Sequence, residues 1–261
     1  MKKKQASIMR NNAAPFAALA VLVLLWQFLC AVKIVPPYML PSPAKVCAAF
    51  INDFPLLMTH LRFTLFEAAL GLALAIIAAF ALALFMDINA CVKRALNPLL
   101  LLTQTLPVIA IAPLLVLWLG YGCAPKVSLV FITCFFPVTV SLVSGFAHTD
   151  GEAACLLRSM GASRAQIYRF LKIPQALPSF FAGLRISASY AVSGAVIAEW
   201  LGGDGGLGVY MIRVRKSYAF DKMFASIFLT VIVSLVLLKM TAFLECYALP
   251  WRGRREVKRK R

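Results

Sequence analysis

Histidine and acidic side chains are what this chain has least of: 2 His and 10 Asp and Glu among 261 residues. A membrane-embedded enzyme or a metal centre needs several such groups gathered at catalytic or ligand spacing. His60 and His148 stand alone, with no acidic or cysteine neighbour at that spacing, and read as structural. Seven cysteines are scattered along the chain with no C-x-x-C pair, so they fit neither a zinc nor a dithiol motif and read as small apolar side chains. No G-x-x-x-x-G-K-[ST] occurs, which removes the phosphate cradle that ATP hydrolysis needs. The run Gly203 to Gly208 formally fits G-x-G-x-x-G, but it follows a long apolar segment rather than a strand. It reads as a loop, not a nucleotide fingerprint. No cofactor, metal or catalytic residue is expected.

Apolar residues, by contrast, make up 62% of the chain and charged ones only 14%, with a mean hydropathy of +0.84. Soluble domains carry about one quarter charged residues. Apolar runs fall near Ala14–Val35, Thr64–Met86, Pro98–Leu119, Val127–Ala147, Phe180–Leu201 and Met223–Tyr247. Each is about long enough to cross ~30 Å of hydrocarbon. A backbone in lipid must satisfy its own hydrogen bonds, and the runs are twice the length of a barrel strand, so all should be helices. The expected fold is all-α, a polytopic membrane protein with about six transmembrane helices. Lys2-Lys3-Lys4 before an apolar stretch resembles a signal peptide. That stretch is long and no A-x-A site follows, so it reads as a retained first span.

The net charge of +17 would suit nucleic acid were it clustered, but Lys and Arg lie at the ends of apolar runs and in the tails. No nucleic-acid partner is expected. With the N-terminus inside, 17 Lys and Arg fall on the cytoplasmic side and 8 on the other, so both termini should be cytoplasmic. Pro36, Pro37, Pro41 and Pro43 then lie outside, with an amphipathic segment from Ala44 to His60 along the membrane surface. The basic tail 252–261 would anchor topology against anionic lipid.

Ionisable groups within spans are costly and hence functional candidates. Glu67 and Glu199 lie within or at the ends of spans, although Glu67 could instead pair with Arg62 or reach the headgroups. Trp200 adjoins Glu199 and could stack on a flat heterocycle. These three are the candidate substrate-path residues. Arg185 should snorkel to the interface.

The segment 149–178 is the one long cytoplasmic loop, less apolar than its surroundings yet rich in helix formers. Gly161 should end one helix as a C-cap, and Ser163 with Gln166 forms a capping box opening a short helix. That helix should stop before Pro174, with Pro178 opening the next element. Its helical spacing would set Ile167, Phe170 and Leu171 on one face, an apolar knob that can plug a partner's groove.

Gly161 to Pro174 resembles the cytoplasmic loop signature of binding-protein-dependent ABC importer permeases. The family signature begins with Glu-Ala-Ala six residues before the glycine. Here that register holds Cys155-Leu156-Leu157, and Glu152-Ala153-Ala154 lies three residues earlier, nearly one helical turn. Leu40 to Pro43, Gln104 to Pro107, Ala110 to Pro113, Trp118 to Gly120, Ala176 to Pro178 and Gly183 to Arg185 look like the nitrate, sulfonate and taurine branch. Ala198 to Gly203 and Gly206 to Met211 look closest to permeases for hydroxymethylpyrimidine, the thiamine precursor. Resemblance runs over roughly residues 36–245.

The resemblance implies one permease domain over 1–261, with a core at about 60–245, the coupling loop at 149–178 and the basic tail at 252–261. It implies an inner-membrane subunit that is not itself an enzyme. Its partners would be a separate ATP-binding subunit, a periplasmic or lipid-anchored solute-binding protein, a second permease copy and membrane lipid. The ATPase-coupling residues would be Glu152, Gly161, Ala162, Ser163, Ile167, Phe170 and Pro174. The solute would be a thiamine pyrimidine precursor or an alkanesulfonate-, taurine- or nitrate-like compound. The alternative from another class is a secondary transporter or channel not driven by ATP, which predicts buried charge pairs or an inverted repeat.

Overall fold

The structure, a computed structural model, describes residues 2–32, 36, 38–103 and 105–250, with the side chains of 2–16 left undescribed. The basic tail 252–261, Pro37, Gln104 and the side chains of Lys2 to Lys4 therefore lie outside the described residues. Every regular element described is helical: α1 (Lys2–Val32), α2 (Pro43–Asn52), α3 (Phe54–Ile88), α4 (Ala90–Thr103), α5 (Val108–Leu119), α6 (Cys123–Ala147), α7 (Gly151–Ser159), α8 (Arg164–Ile167), a π turn (Tyr168–Lys172), α9 (Ile173–Glu199), α10 (Leu207–Lys216) and α11 (Phe220–Ala248).

Four of these are long and apolar enough to cross a membrane: α3, α6, the continuous run from Arg164 through α9, and α11. The expected third span, Pro98–Leu119, is instead broken: α4 and α5 are bent by 101° to one another, and together they make a fifth crossing if counted as one span. Pro107 stands at the break, where its ring and absent N–H end a helix. The first expected span falls on α1, in which Ala17–Val32 is an apolar helix.

The chain forms two units, Met1–Met58 with Tyr210–Leu229, and Thr59–Val209 with Thr230–Arg261. In the first, Trp26 stacks on Phe224 and Phe228 at centroid distances of 6.0 and 5.7 Å and donates its indole N–H to the Pro41 carbonyl at 3.1 Å. Asp53, where α2 ends, accepts from Tyr210 Oη at 2.7 Å and pairs with Lys222 at 2.9 Å.

In the second unit, α6 and α9 run along each other, and small residues let them. A Cβ on Gly183 would meet Ser141 Oγ at 2.6 Å, and one on Gly145 would meet Ser179 Cβ at 2.9 Å. Ser187 Oγ donates to the Cys134 carbonyl at 3.0 Å across the same seam. Interhelical bonds of this kind contribute only about 0.6 kcal/mol in a membrane, so close backbone packing carries more of the association. Gly71 does the same for α3 against α6, where its Cβ would meet Val130 Cβ at 2.6 Å. The most apolar stretch of the Arg164–Glu199 run is 61% buried and that of α11 only 17%, so α9 is central while α11 keeps apolar side chains such as Val231, Leu235 and Phe243 outward, as lipid contact permits.

Candidate functional site

Two constellations carry polar chemistry, one at each end of α9. The first is the segment between α6 and α9. Asp150 N-caps α7, its carboxylate accepting from the Glu152 and Ala153 amides at 3.0 and 3.3 Å, so Glu152 lies exposed in the first turn. At the other end of α7, Gly161 takes φ +83°. Its N–H donates to the Arg158 carbonyl at 2.9 Å, and the Ala162 N–H donates to Leu157 at 3.0 Å. These are the two bonds of a Schellman cap. The capping box is formed as the spacing predicts: the Ser163 N–H donates to Gln166 Oε1 at 2.7 Å and the Gln166 N–H to Ser163 Oγ at 3.3 Å.

The short helix does not stop before Pro174. It passes through the π turn straight into α9, and Pro174 and Pro178 both sit inside one 36-residue run. The reason is local: in an α-helix the Pro174 ring would collide with the Phe170 carbonyl. Widening the turn, with the Ile173 N–H reaching back to Tyr168 O, opens the ladder there. A wider turn also rotates less per residue, so Ile167 and Phe170 do not share a face. Ile167 is 3% exposed and Phe170 66%. The exposed apolar surface of this segment is therefore Phe170, with Met160 and Leu156 of α7 also outward, and the Arg169 guanidinium over the Phe170 ring at 5.7 Å. Asp87, at the end of α3, accepts from Tyr168 Oη at 2.6 Å and from Lys172 Nζ at 2.5 Å. Sequence reasoning missed Asp87.

The second constellation lies where α9 ends. Glu67 does not pair with Arg62. Its Oε1 lies 2.8 Å from Lys126 Nζ, and both residues are buried, at 3% and 5% exposure. Lys126 also donates to the Gly205 carbonyl at 3.2 Å. Glu199, 1% exposed, accepts from Thr64 Oγ1 at 2.7 Å and from the Gly208 N–H at 2.6 Å. Thr64 Oγ1 accepts from the Leu207 N–H at 2.9 Å, and His60 Nδ1 accepts from the Gly206 N–H at 3.1 Å. Trp200 is half-exposed, and Glu67 Oε2 is buried without a hydrogen-bond partner among the described residues. Thus Glu67, Glu199 and their neighbours are brought together around the glycine segment, and His60 is part of its binding rather than an isolated interface residue. Lys126 went unnoticed because it opens α6 and counted only as a topology charge.

Residues 47–246 match the family described as the binding-protein-dependent transport system inner membrane component. The chain belongs to this family. It is a multi-pass permease of the inner membrane, and ATP is hydrolysed by a separate subunit while a solute-binding protein serves as a further partner. The permease is 39% identical to the formylaminopyrimidine transport permease protein ThiX of Halalkalibacterium halodurans over 233 residues, 89% of this chain and 93% of that one. It is 28% identical to the taurine transport system permease protein TauC of Escherichia coli, covering 94% and 91% of the two chains. Among solved structures, an amino acid ABC transporter with histidines superposes with a TM-score of 0.62 at 17% identity, covering 76% of the permease and 96% of that chain, a likeness of fold. In the permease Arg185 does not merely snorkel: its guanidinium pairs with Glu245 of α11.

Proposed function

We propose that the permease imports a small pyrimidine of the thiamine-precursor class, working as a homodimer with both termini cytoplasmic. The observation that carries the solute is the 39% identity with a formylaminopyrimidine permease, sustained over 89% of the chain, against 28% for the taurine permease over a similar length. A flat heterocycle with ring nitrogens wants an aromatic face and a few polar partners. Trp200 offers such a face, whereas Glu67 is buried and shapes the path by holding Lys126. Both Glu199 oxygens are occupied, which suits gating of the path rather than direct contact.

Coupling runs through the segment from Glu152 to Pro174. Phe170 with its Arg169 rim enters a groove of the ATP-binding subunit, Gly161 and Ala162 set the angle of entry, Ser163 opens the helix, and Ile167 anchors it inward. Pro174 holds the π turn that joins it to α9. The binding protein delivers the solute, the ATP-binding subunits close on ATP, and α9 carries the displacement into the membrane. The orientation rests on the distribution of Lys and Arg, and a second copy completes the path that one chain leaves open.

The test is to reconstitute the permease with its ATP-binding subunit and add a binding protein loaded with formylaminopyrimidine, hydroxymethylpyrimidine or an alkanesulfonate. Stimulation of hydrolysis by the pyrimidines alone is expected. Stimulation by the sulfonate alone would move the solute to the sulfonate branch, and a monomeric functional unit by mass would remove the homodimer.

A further inference from the structure

The segment 201–206 has no regular structure of its own, yet Gly205 and Gly206 are buried and the amides that follow it are held by side chains from elsewhere. Three donors, the Gly206, Leu207 and Gly208 N–H groups, go to His60, Thr64 and Glu199. One acceptor, the Gly205 carbonyl, goes to Lys126. Glycine is required because the approach is so close. A Cβ on Gly205 would meet Phe63 Cδ2 at 2.6 Å, one on Gly203 would meet Lys126 Nζ at 2.8 Å, and one on Gly206 would enter the Glu199 carboxylate. Gly202, Gly203 and Gly206 also take φ values of 134°, 135° and 125°, a region that side chains rarely reach.

Burying an ammonium and a carboxylate is expensive even when they pair, so a buried pair is weak evidence of stabilisation by itself. The Glu67–Lys126 pair has a second feature: the ammonium reaches beyond its counter-ion to the loop backbone. Lys126 thus joins α3, through Glu67, and α6 to the loop that leaves α9. α9 in turn begins at the π turn after α8. At about 1.5 Å per residue, its 27 residues span roughly 40 Å from the coupling segment to this clasp.

We propose that Lys126 is a positioning residue for transport: its ammonium, oriented by Glu67, pins the glycine loop 201–206 to α3 and to the first turn of α6, so that the outer end of α9 has one defined place. Beside the bonds to His60, Thr64 and Glu199, the bond to Gly205, not charge balance alone, is what Lys126 adds to the holding of the loop. This rests on the permease assignment only for its transport consequence; the holding of the loop is independent of solute and of ATP coupling.

The experiment is hydrogen exchange of the full chain in lipid nanodiscs, followed in peptides covering 201–209, with exchange in α6 and α9 as the control for folding. Lys126→Met alone leaves a buried unpaired carboxylate and is expected to unfold in part. The informative variant is therefore the double Glu67→Gln/Lys126→Met, which removes both charges. In the double variant the loop amides should exchange at least tenfold faster than in the wild type while the α6 and α9 controls stay protected. Lys126→Arg, which keeps a cationic donor, should recover most of the protection. Wild-type protection of 201–209 in the double variant would overturn the proposal, because the loop would then be held without Lys126. Failure of Lys126→Arg to recover protection above the double variant would overturn it as well. Assembled with its ATP-binding subunit, the double variant should hydrolyse ATP but take up solute several-fold more slowly at saturation. Intact uptake with an opened loop would show that the position of the loop does not serve transport, and would overturn that part.

Discussion

Lys172 Nζ lies 2.5 Å from Asp87 Oδ2, which ties the π turn after α8 to the end of α3. Tyr168 donates to the same carboxylate oxygen, and the Lys172 ammonium sits 4.7 Å from the centre of the Tyr168 ring. The three groups form one knot, so whatever moves α8 must move α3 or break it. Asp87→Ala leaves an ammonium and a phenol without their acceptor. It should lower stability by about 1–3 kcal/mol and uncouple ATP hydrolysis from uptake. Asp87→Asn, which still accepts from Tyr168, should lose about half as much. Thermal denaturation in detergent, read beside uptake per ATP hydrolysed, checks both.

Gly161 makes a different prediction from the one that bulk alone would suggest. A Cβ placed there meets nothing within 4 Å, so the constraint is its φ of +83°, which costs an ordinary L-residue about 1–2 kcal/mol. Gly161→Asn should therefore be tolerated, while Gly161→Val should re-aim the chain entering α8 and weaken assembly with the ATP-binding subunit. Co-purification yields of the two variants decide it. Equal yields for Val and Asn would mean that the partner, not the backbone, sets the requirement.

Pro174 is the cause of the wide turn, so Pro174→Ala should let Tyr168 to Lys172 relax to α-helical hydrogen bonding. Removing one residue's worth of extra turn rotates everything N-terminal to it, carrying Phe170 away from its present direction. Uptake should fall several-fold without loss of thermal stability. A structure of the variant that retains the π turn would show the widening to have another source.

Much of this was legible in the sequence because the signals were local. The capping box at Ser163 and Gln166, the glycine cap at Gly161 and the long apolar runs follow from residues within one turn or one span of each other. What stayed hidden was set by packing between distant segments. Nothing near Glu67 in sequence names Lys126, 59 residues away, and Arg62 was the nearer cation. Asp87 carries no signal of its own in the sequence because its partners lie over 80 residues on. The π turn stays hidden for another reason: proline in a helical pattern commonly ends the helix, and a helix can instead widen around it.

Asp53 gives the clearest dependence on pH outside the spans. Burial pushes its carboxyl up, but hydrogen bonds from Lys222 and Tyr210, with the Lys222 charge, outweigh burial and hold it below the ordinary carboxylate range. Burial and the same carboxylate push the Tyr210 hydroxyl up. A depressed acid contributes its stability above the unfolded value of about 3.9 and loses it as pH falls through the lower folded value. The Lys222 side chain is 40% exposed, which limits the ion pair to about 1 kcal/mol or less. The wild type should therefore melt slightly above Asp53→Asn at pH 7, and the gap should close as pH drops below about 4. A gap that widens on acidification would mean that burial, not Lys222 and Tyr210, dominates at Asp53.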